Sequence, residues 1–355
     1  MTTTLRRHTI ADVAKAAGVS KTAVSFAFNA PDRLGTETVN HIIDVATTLG
    51  YRPHPVASSL ARRKTGTLAI LTPQPLGEIF ENPYHALFAS GVATAAEAAG
   101  YALQFISPLK GSLARAVERA SVDGIIAVGL DPSHPEVARI RRYGMRIVLV
   151  DAAASELAPS VSIDDEAGAY AAAAHVVGLG HRDVLVLSVE PPAGAGGIPA
   201  AVAAERMHGY RRAFAEVGAE ITDDQVVDAP TTIEGGHEAF AGAWDDGQRP
   251  TAVLAMSDVT ALGALHATRE YGISVPEDLS IVGFDDIDQA SYTNPPLTTI
   301  HQPVRRKGEE AVRLLLHPTT DTSRPEHPRL DVRLVIRGST GPVRRLDRRW
   351  PTVDR

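Results

Sequence analysis

Residues 9–20 read TIADVAKAAGVS, which predicts a helix, a tight turn and the start of a second helix. The leading threonine can cap a helix over 10–17, whose apolar residues at i, i+3, i+4 and i+7 form one face. Gly18 can adopt the left-handed conformation that a turn requires, and Ser20 can cap a second helix over 21–29. Two short helices joined in this way are typical of a DNA-binding helix-turn-helix.

A third helix is predicted to follow, with Thr36 as its cap and Glu37 favourable at its positive end. Gly50 is expected to end it. The residues predicted for its inner face are Val39, Ile42, Ile43, Ala46 and Leu49. Any small three-helix bundle would share this pattern, but the spacing Ala14-x3-Gly18-x5-Val24 favours DNA binding.

The second helix is expected to lie in the major groove. Lys21 can reach a guanine or a phosphate, and Thr22 can hydrogen-bond a base or touch a thymine methyl group. Ser25 and Phe26 are predicted on the same outward face. Other predicted contacts, mostly short polar or basic residues suited to phosphates, are Thr9, Ser20, Asn29, Arg33, Thr38 and Tyr51.

Charge is distributed unevenly along the chain. Residues 1–64 carry nine Lys/Arg and four Asp/Glu, a net +5, whereas the whole chain carries −7, so the remainder carries −12. A basic N-terminal segment followed by an acidic remainder suggests that only the N-terminal segment binds a polyanion. A solvated helical surface is an alternative explanation for the basic residues.

The composition excludes several classes of protein. There is no cysteine, which rules out disulfides, a thiolate nucleophile and a cysteine zinc site and fits a reducing cytoplasm. The start of the chain has no secretory apolar region, and no apolar run approaches the ~20 residues of a membrane helix. We therefore expect a cytoplasmic, nucleoid-associated protein that contacts no membrane.

From residue 67 onward, short apolar runs alternate with amphipathic helical patterns. This rhythm predicts an α/β fold with parallel sheets flanked by helices, divided between two lobes with a cleft between them. Strands are predicted at 68–71, 102–106, 124–128, 146–150, 184–189, 252–256 and 279–284. Helices are predicted near 84–99, 112–120, 135–143, 165–178, 203–217, 235–246 and 259–271.

Ligands of open α/β sheets bind beyond the carboxyl ends of the strands. Several polar residues follow predicted strands here, and carboxylates, an arginine and an aromatic platform together suit a sugar. Asp258 could instead cap the helix that follows it. The predicted effector contacts are Tyr84, Asp151, Arg206, Ser257, Asp258 and Asp285.

Motifs for catalysis and cofactors are missing. The Gly-rich run at 193–197 lacks the Lys-Ser/Thr of a phosphate loop, and we interpret it as a flexible loop. The histidines are scattered and form no HExxH pair, so we expect no metal, no cofactor and no catalytic residues.

The run at 9–20 and the connector LGYRP at 49–53, followed by VASSLA at 56–61, resemble the LacI family of the lactose and purine repressor type. The resemblance extends over about residues 9–340. Its core motifs, in family order, are NPY at 82–84, LGH at 179–181, SD at 257–258 with ALG at 261–263, VGFDD at 282–286 and PLTTI at 296–300.

The resemblance implies a domain plan of a DNA-binding head followed by a periplasmic-binding-protein-like core. The head is expected at 1–52, a hinge helix and linker at 53–66, the core at 67–340 and a polar tail at 341–355. Within the core, the resemblance implies one lobe of about 67–158 with 289–320. The other lobe would comprise 159–288 with 321–340.

The resemblance also implies that 54–61 is a hinge helix that folds only on DNA, with Leu60 as a wedge in the minor groove. A leucine wedge unstacks a base step and bends the duplex, and so short a helix is marginal in water on its own. A Pro-tethered linker with a buried leucine is the alternative. Further contacts expected from this segment are His54, Ala57 and Ala61.

The implied function is a ligand-responsive repressor of carbohydrate genes that binds a pseudo-palindromic operator as a homodimer. In this family sugar effectors usually release DNA, whereas purine-type corepressors tighten binding. Two positions depart from the family: Phe26 replaces a common guanine-reading arginine, and Ser257 replaces the usual asparagine. The alternatives are a periplasmic-type sugar-binding protein without a DNA role and an enzyme such as a sugar kinase or hydrolase.

Overall fold

A computed structural model describes residues 8–53, 64–189, 199–318 and 325–343 of the chain. The contacts between residues divide the chain into two units. The first contains the chain up to Gly66 together with Ser121–Asp123, and the second contains Thr67–Ala120 and the chain from Gly124 onward. The predicted segment 54–61 and the end of the tail, 344–355, lie outside the described residues, as does the Gly-rich run at 193–197.

The first unit contains three helices: α1 (Ile10–Ala17), α2 (Lys21–Asn29) and α3 (Thr36–Thr48). The bounds of α1 and α2 are those predicted, and Gly18 between them has the left-handed φ of +67°. The prediction that Thr36 caps α3 was wrong by one residue. Gly35 precedes the helix without a side-chain cap, and Thr36 is the first helical residue.

Small and β-branched side chains form the core of this bundle. Its fully packed members are Val13, Ala14, Ala17, Val24, Ala27, Ile42 and Ala46. The predicted inner face of α3 is rotated in the structure, because Val45 packs against this core whereas Val39 and Ile43 are only half-buried outside it. Small residues at the contact allow the short helices to approach closely.

The second unit contains two six-stranded sheets, one in each lobe. The first lobe has a wholly parallel sheet in the order β11-β5-β4-β3-β1-β2. Its strands are β1 (Thr67–Leu71), β2 (Ala102–Ile106), β3 (Gly124–Val128), β4 (Arg146–Val150), β5 (Ser160–Ile163) and β11 (Arg329–Leu330). Its helices are α4 (Leu76–Glu81), α5 (Pro83–Ala98), α6 (Leu113–Arg119), α7 (Pro135–Arg142) and α12 (Val304–Leu316).

The second lobe has the sheet order β12-β10-β9-β8-β6-β7, parallel except for β12. Its strands are β6 (Val184–Val189), β7 (Val226–Ala229), β8 (Ala252–Ala255), β9 (Ser280–Asp285), β10 (Thr298–His301) and β12 (Arg333–Val335). Its helices are α8 (Asp165–Gly178), α9 (Pro199–Ala215), α10 (Ile233–Asp245) and α11 (Asp258–Glu270). Alternate residues of β6 enter two separate cores, so helices cover both faces of the sheet.

The chain passes between the two sheets after β5, after β10, and between β11 and β12. The lobe boundaries predicted at 158, 288 and 320 therefore lie too early in the chain. Strands β5 and β10 are only four residues long and contain serine or threonine, so they lack the apolar run that marks a buried strand. The structure consequently assigns 160–163 to the first sheet and 298–301 to the second.

Helices α5 and α12 cross with their backbones in contact. A Cβ built on Gly91 would lie 1.9 Å from the carbonyl oxygen of Arg305, and one on Gly308 would lie 2.6 Å from the carbonyl oxygen of Phe88. Only glycine permits such an approach. The crossing determines how far α12 lies from the first sheet and therefore where its side chains enter the cleft.

Candidate DNA-reading surface and effector cleft

The exposed end of α2 presents the side chains that were predicted to read DNA. Lys21 and Thr22 are exposed, and Ser25 and Phe26 are half-buried one turn later. The guanidinium of Arg33 lies 5.1 Å from the centre of the Phe26 ring. This distance is within cation–π range, so Phe26 is held beside a cation rather than standing alone.

Several of the other predicted DNA contacts also support the helices. The Ser20 hydroxyl accepts a hydrogen bond from the Ala23 amide at 3.1 Å, and the Thr9 hydroxyl donates to the Asp12 carboxylate at 2.9 Å. Tyr51 packs its ring edge-on against Phe28 at 5.9 Å. Thr38 and Arg33 are exposed, and Asn29 is half-buried. The predicted contacts His54, Ala57, Leu60 and Ala61 lie outside the described residues.

In the core, Tyr84, Asp151 and Lys307 meet at the first lobe's side of the cleft. The Tyr84 hydroxyl donates to Asp151 at 2.6 Å, and the Lys307 ammonium donates to the other carboxylate oxygen at 2.6 Å. Lys307 also lies 3.1 Å from the Tyr84 hydroxyl oxygen. The lysine side chain is only 1% exposed, so this is a buried ion pair with an additional hydroxyl partner.

The same lysine links this group to the second lobe. Its ammonium donates to the side-chain oxygen Oε1 of Gln302 at 2.6 Å, and the side-chain Nε2 of Gln302 donates to the Asp285 carboxylate at 2.6 Å. The Ser257 hydroxyl donates to the other oxygen of Asp285 at 3.2 Å. A continuous chain of hydrogen bonds, which we call the cleft network, therefore runs from Tyr84 in the first lobe to Ser257 in the second.

Arg206 on α9 is buried in a separate cluster of the second lobe. Its Nε donates to the Asp165 carboxylate at 2.8 Å, and a terminal nitrogen donates to the Met256 carbonyl oxygen. Its guanidinium lies 3.6 Å from the centre of the Phe284 ring. The stacking and the ion pair fix the plane of the guanidinium, which is the arrangement that planar polar recognition needs.

Two of the predicted effector residues have backbones in the left-handed region. Asp151 directly follows β4 with φ of +55°, and Asp285 ends β9 with φ of +131°. Non-glycine residues adopt such values rarely and at an energetic cost, which the surrounding contacts must offset. Both residues belong to the cleft network, so the strain lies where the two lobes meet.

Asp258, a predicted effector contact, is completely buried and its carboxylate faces inward. One oxygen accepts from the Thr299 hydroxyl at 2.5 Å and the other from the Ile287 amide at 2.9 Å. Ser257, not Asp258, caps α11. Asp258 therefore links α11 by hydrogen bonds to β10 and to the loop after β9. Both of its carboxylate oxygens already accept a hydrogen bond within the protein.

Lys307, Gln302 and Asp165 were not predicted from the sequence. Gln302 follows β10 just as the other candidates follow their strands, but β10 itself was not recognised. Lys307 lies on the apolar inner stripe of α12, together with Val304, Ala311 and Leu315. A lysine in such a stripe is the signal that could have identified it, since a buried lysine requires a partner.

A cavity of about 280 Å³ lies between the lobes next to this network. Its size is close to the lower end of small-molecule pockets, about 300 Å³. Its polar lining includes Asp151, Ser160, Ser162, Asp165, Glu205 and Arg329. Of the predicted effector contacts only Asp151 lines it, because Tyr84, Arg206, Ser257 and Asp285 face each other or their own lobe's core.

Burial raises the pKa of Asp258 to about 8 and that of neighbouring Asp285 to about 6, and the negative charge of Asp285 also raises the pKa of Asp258. A carboxyl whose pKa is higher in the folded state holds its proton more tightly there. The contribution of these two carboxyl groups to stability is therefore fully present below the unfolded-state pKa of about 4, and it is lost as the pH rises toward the folded-state values.

We expect Asp258→Asn to flatten this decline between about pH 5 and about pH 8, because the amide cannot lose a proton. The measurement is the urea midpoint of unfolding of the full chain across this range. Asp223→Asn, which changes an aspartate with a 97% exposed side chain, serves as the control and should keep the wild-type slope. Parallel pH profiles for wild type and Asp258→Asn would contradict the assignment.

Comparison with known protein families gives two matches along the chain. Residues 9–54 match "Bacterial regulatory proteins, lacI family", and residues 173–340 match "Periplasmic binding protein-like domain". The HTH-type transcriptional regulator DegA of Bacillus subtilis strain 168 is 32% identical over 348 residues, which cover 95% of this chain and 99% of DegA. The chain belongs to the LacI family.

The structural similarity of this LacI-family chain to solved regulators extends over the head and the core. A lac repressor dimer bound to operator and the anti-inducer ONPF is 25% identical, with a TM-score of 0.78 over 95% of this chain and all of that one. The transcriptional regulator CelR in complex with cellobiose is 27% identical, with a TM-score of 0.68 over 94% of this chain.

These relatives establish the chain as a LacI-type transcriptional regulator with a sugar-binding-like core. The predicted fold, with a helix-turn-helix head and two lobes of parallel sheets, is confirmed by the same comparisons. The relatives and the solved structures that this chain resembles are transcriptional regulators, not enzymes. Among the described residues, no helix is both long enough and apolar enough to cross a bilayer.

Proposed function

We propose that this LacI-family regulator is a homodimeric repressor of carbohydrate-metabolism genes that responds to a sugar bound between its lobes. It would bind a pseudo-palindromic operator on the nucleoid in the cytoplasm. The observation that carries the proposal is the cleft network, because its hydrogen bonds join the two lobes directly beside a polar cavity.

The chemistry of the cleft suits a polyhydroxylated ligand. Carboxylates such as Asp151 accept hydrogen bonds from paired hydroxyl groups, and Arg206 and Ser257 can donate to ring and hydroxyl oxygens. Solved relatives support this class of ligand, since CelR binds cellobiose and a LacI-family regulator from Enterococcus faecium, 27% identical with a TM-score of 0.66, has bound ribose. We propose Tyr84, Asp151, Arg206, Ser257 and Asp285 as the effector contacts.

The cleft network provides a route for control by the effector. Its groups are already paired with each other, so a ligand in the cleft must exchange these hydrogen bonds for its own. Exchange across the two lobes favours one lobe arrangement over another, which is how a ligand shifts a population. A coupling of about 1–3 kcal/mol would change operator affinity roughly 5–150-fold.

For the DNA, two chains would place two copies of α2 in successive major grooves. Lys21 and Thr22 would reach bases or phosphates, with the other predicted contacts of the head holding the backbone. Segment 54–61 would fold as a hinge helix and insert Leu60 into the minor groove. Phe26 beside Arg33 would contact a thymine methyl or pack along the backbone instead of reading guanine.

Leu60→Ser is expected to weaken operator binding at least about tenfold while leaving sugar binding unchanged, because the apolar wedge is lost but the cleft is untouched. The measurement is fluorescence anisotropy with labelled operator DNA. Leu157→Ser, at an exposed leucine of the core, is the matched control and should bind operator as the wild type does. Equal operator affinity of wild type and Leu60→Ser would rule out the wedge.

The proposal as a whole is tested with DNA from the regulator's own promoter region at low salt. We expect saturable binding that a mono- or disaccharide changes, and a thermal-shift screen with the same saccharides identifies which one. Absence of DNA binding with and without saccharides would overturn the repressor role. DNA binding without a thermal shift by any saccharide would overturn only the sugar-effector part.

A further inference from the structure

Three side chains of the types that can ligate a metal ion converge on the outer surface of the second lobe. They are His237 on α10 and His266 and Glu270 on α11. We propose that these residues form a site for one divalent transition-metal ion of the zinc type. None of the three belongs to the cleft network, and the proposal does not depend on the proposed function.

The ligand atoms of the three side chains all lie within 4.8 Å of one another. His237 Nε2 lies 3.0 Å from a carboxylate oxygen of Glu270, and the rings of His237 and His266 have centroids 5.3 Å apart. Ligands about 2.0–2.2 Å from a zinc ion are typically separated by little more than 3 Å. Small rotations of two exposed side chains are therefore enough to close the shell.

The backbone holds these ligands in place. A Cβ on Gly263 of α11 would lie 2.0 Å from the Ile233 carbonyl oxygen and 2.5 Å from the His237 amide nitrogen, and one on Gly236 would lie 2.2 Å from the Thr260 carbonyl oxygen. The two helices are thus in backbone contact at His237. Gly263, His266 and Glu270 have the spacing i, i+3 and i+7, so both α11 ligands lie on the helix face that meets α10.

The donor set identifies the class of ion. Two imidazoles and a carboxylate match the ligands of zinc, whereas calcium and magnesium prefer shells of oxygen alone. Nδ1 of His237 makes no hydrogen bond within the described part of the chain, so Glu270 is the only hydrogen-bonding partner of that ring there. Three protein ligands leave one position of a tetrahedral shell for water.

No metal site was predicted from the sequence, because it contains no HExxH pair. The signal in the sequence is weaker: His266 and Glu270 are one helical turn apart, and the third ligand comes from a helix about thirty residues earlier. Only the packing of α10 on α11 brings His237 to them. Exposure of His266 and Glu270 leaves the site open to an ion from solvent.

The test uses metal-free, untagged full-length protein titrated with Zn²⁺, and Mg²⁺ in parallel, by calorimetry and thermal shift. We expect one saturable zinc ion per chain, with a rise in the thermal midpoint of about 2–4 °C, and no response to Mg²⁺. In His266→Gln and His237→Gln this zinc ion and the rise should both be lost. Because His266 is exposed, His266→Gln is expected to leave the fold intact.

His208→Gln is the matched control, because His208 lies 3.0 Å from Glu166 in a histidine–carboxylate pair elsewhere on the second lobe. It should bind zinc as the wild type does. The proposal is overturned if wild type shows no saturable zinc binding, or if His266→Gln binds zinc with unchanged stoichiometry. One ion per two chains would overturn a site built within one chain.

Discussion

Replacing Lys307 with methionine is expected to lower the free energy of unfolding of the core by about 3–5 kcal/mol. The lysine is 1% exposed and neutralises Asp151 at 2.6 Å, and its ammonium also satisfies Gln302 and contacts Tyr84. Methionine fills similar volume but leaves the Asp151 carboxylate, whose side chain is only 15% exposed, without its cation. Removing one partner of a buried ion pair is costly for this reason, even where replacing both would not be.

Chemical denaturation followed by tryptophan fluorescence and circular dichroism measures the change. The control is Arg211→Met, since Arg211 and Asp223 form an ion pair at the same 2.6 Å distance but are largely exposed. It should alter stability by no more than about 1 kcal/mol, because water screens surface pairs. If Lys307→Met and Arg211→Met lost the same small free energy of unfolding, burial of the Lys307 ion pair would not contribute to stability.

A second variant distinguishes loss of the ion pair from general misfolding as the cause of the destabilisation. In Lys307→Met/Asp151→Asn the unpaired charge is gone, so we expect part of the lost stability to return. Both variants should also lose the response of operator binding to the effector, because the cleft network is broken. If the double variant lost as much free energy of unfolding as Lys307→Met and Asp151→Asn lose in sum, direct coupling between the two residues would be contradicted.

Gly91→Ala is expected to destabilise the core by about 1–3 kcal/mol, although alanine normally favours a helix. The new methyl group would meet the Arg305 carbonyl oxygen at 1.9 Å, and a backbone atom cannot move aside as a flexible side chain can. Helices α5 and α12 must separate to accommodate it. Lys307, two residues along α12, would then shift relative to Asp151 and Tyr84.

Gly242→Ala is the same glycine-to-alanine substitution, but it is expected to raise stability instead of lowering it. Gly242 lies within α10, and a Cβ there would meet nothing within 4 Å, so alanine should raise stability by up to about 1 kcal/mol. Thermal or urea unfolding of both variants checks the signs. No destabilisation by Gly91→Ala would show that the close approach of α5 and α12 is not limiting. Destabilisation by Gly242→Ala would contradict the open space found around Gly242.

Where a segment carries its own periodicity, the sequence was sufficient to predict the element. Helices α1 and α2 were predicted with their bounds, because a capping threonine or serine, an apolar face and a turn glycine are all local signals. The seven predicted strands all exist, and all but the edge strand β2 are largely buried, apolar parallel strands. Strands β5, β7, β10, β11 and β12 were missed because they are short and polar or half-exposed.

The candidate site was predicted only in part, for a related reason. Asp151, Ser257 and Asp285 could be proposed because each follows an apolar strand, and parallel strands end at one edge of a sheet. Whether a side chain faces the cleft or the interior depends on packing from other elements. Asp258 therefore faces the interior and hydrogen-bonds Thr299 and Ile287, whereas the adjacent Ser257 belongs to the cleft network.

By itself, the sequence determined the family, the order of the two domain types and the identity of most strands and helices, because these depend on local periodicity and on motifs close together in the chain. Only the tertiary structure decided that Lys307 closes a link between the lobes and that His237 meets His266 and Glu270. Those encounters join residues far apart in the chain, and their geometry is set by glycine-lined helix crossings, whose spacing no local pattern encodes.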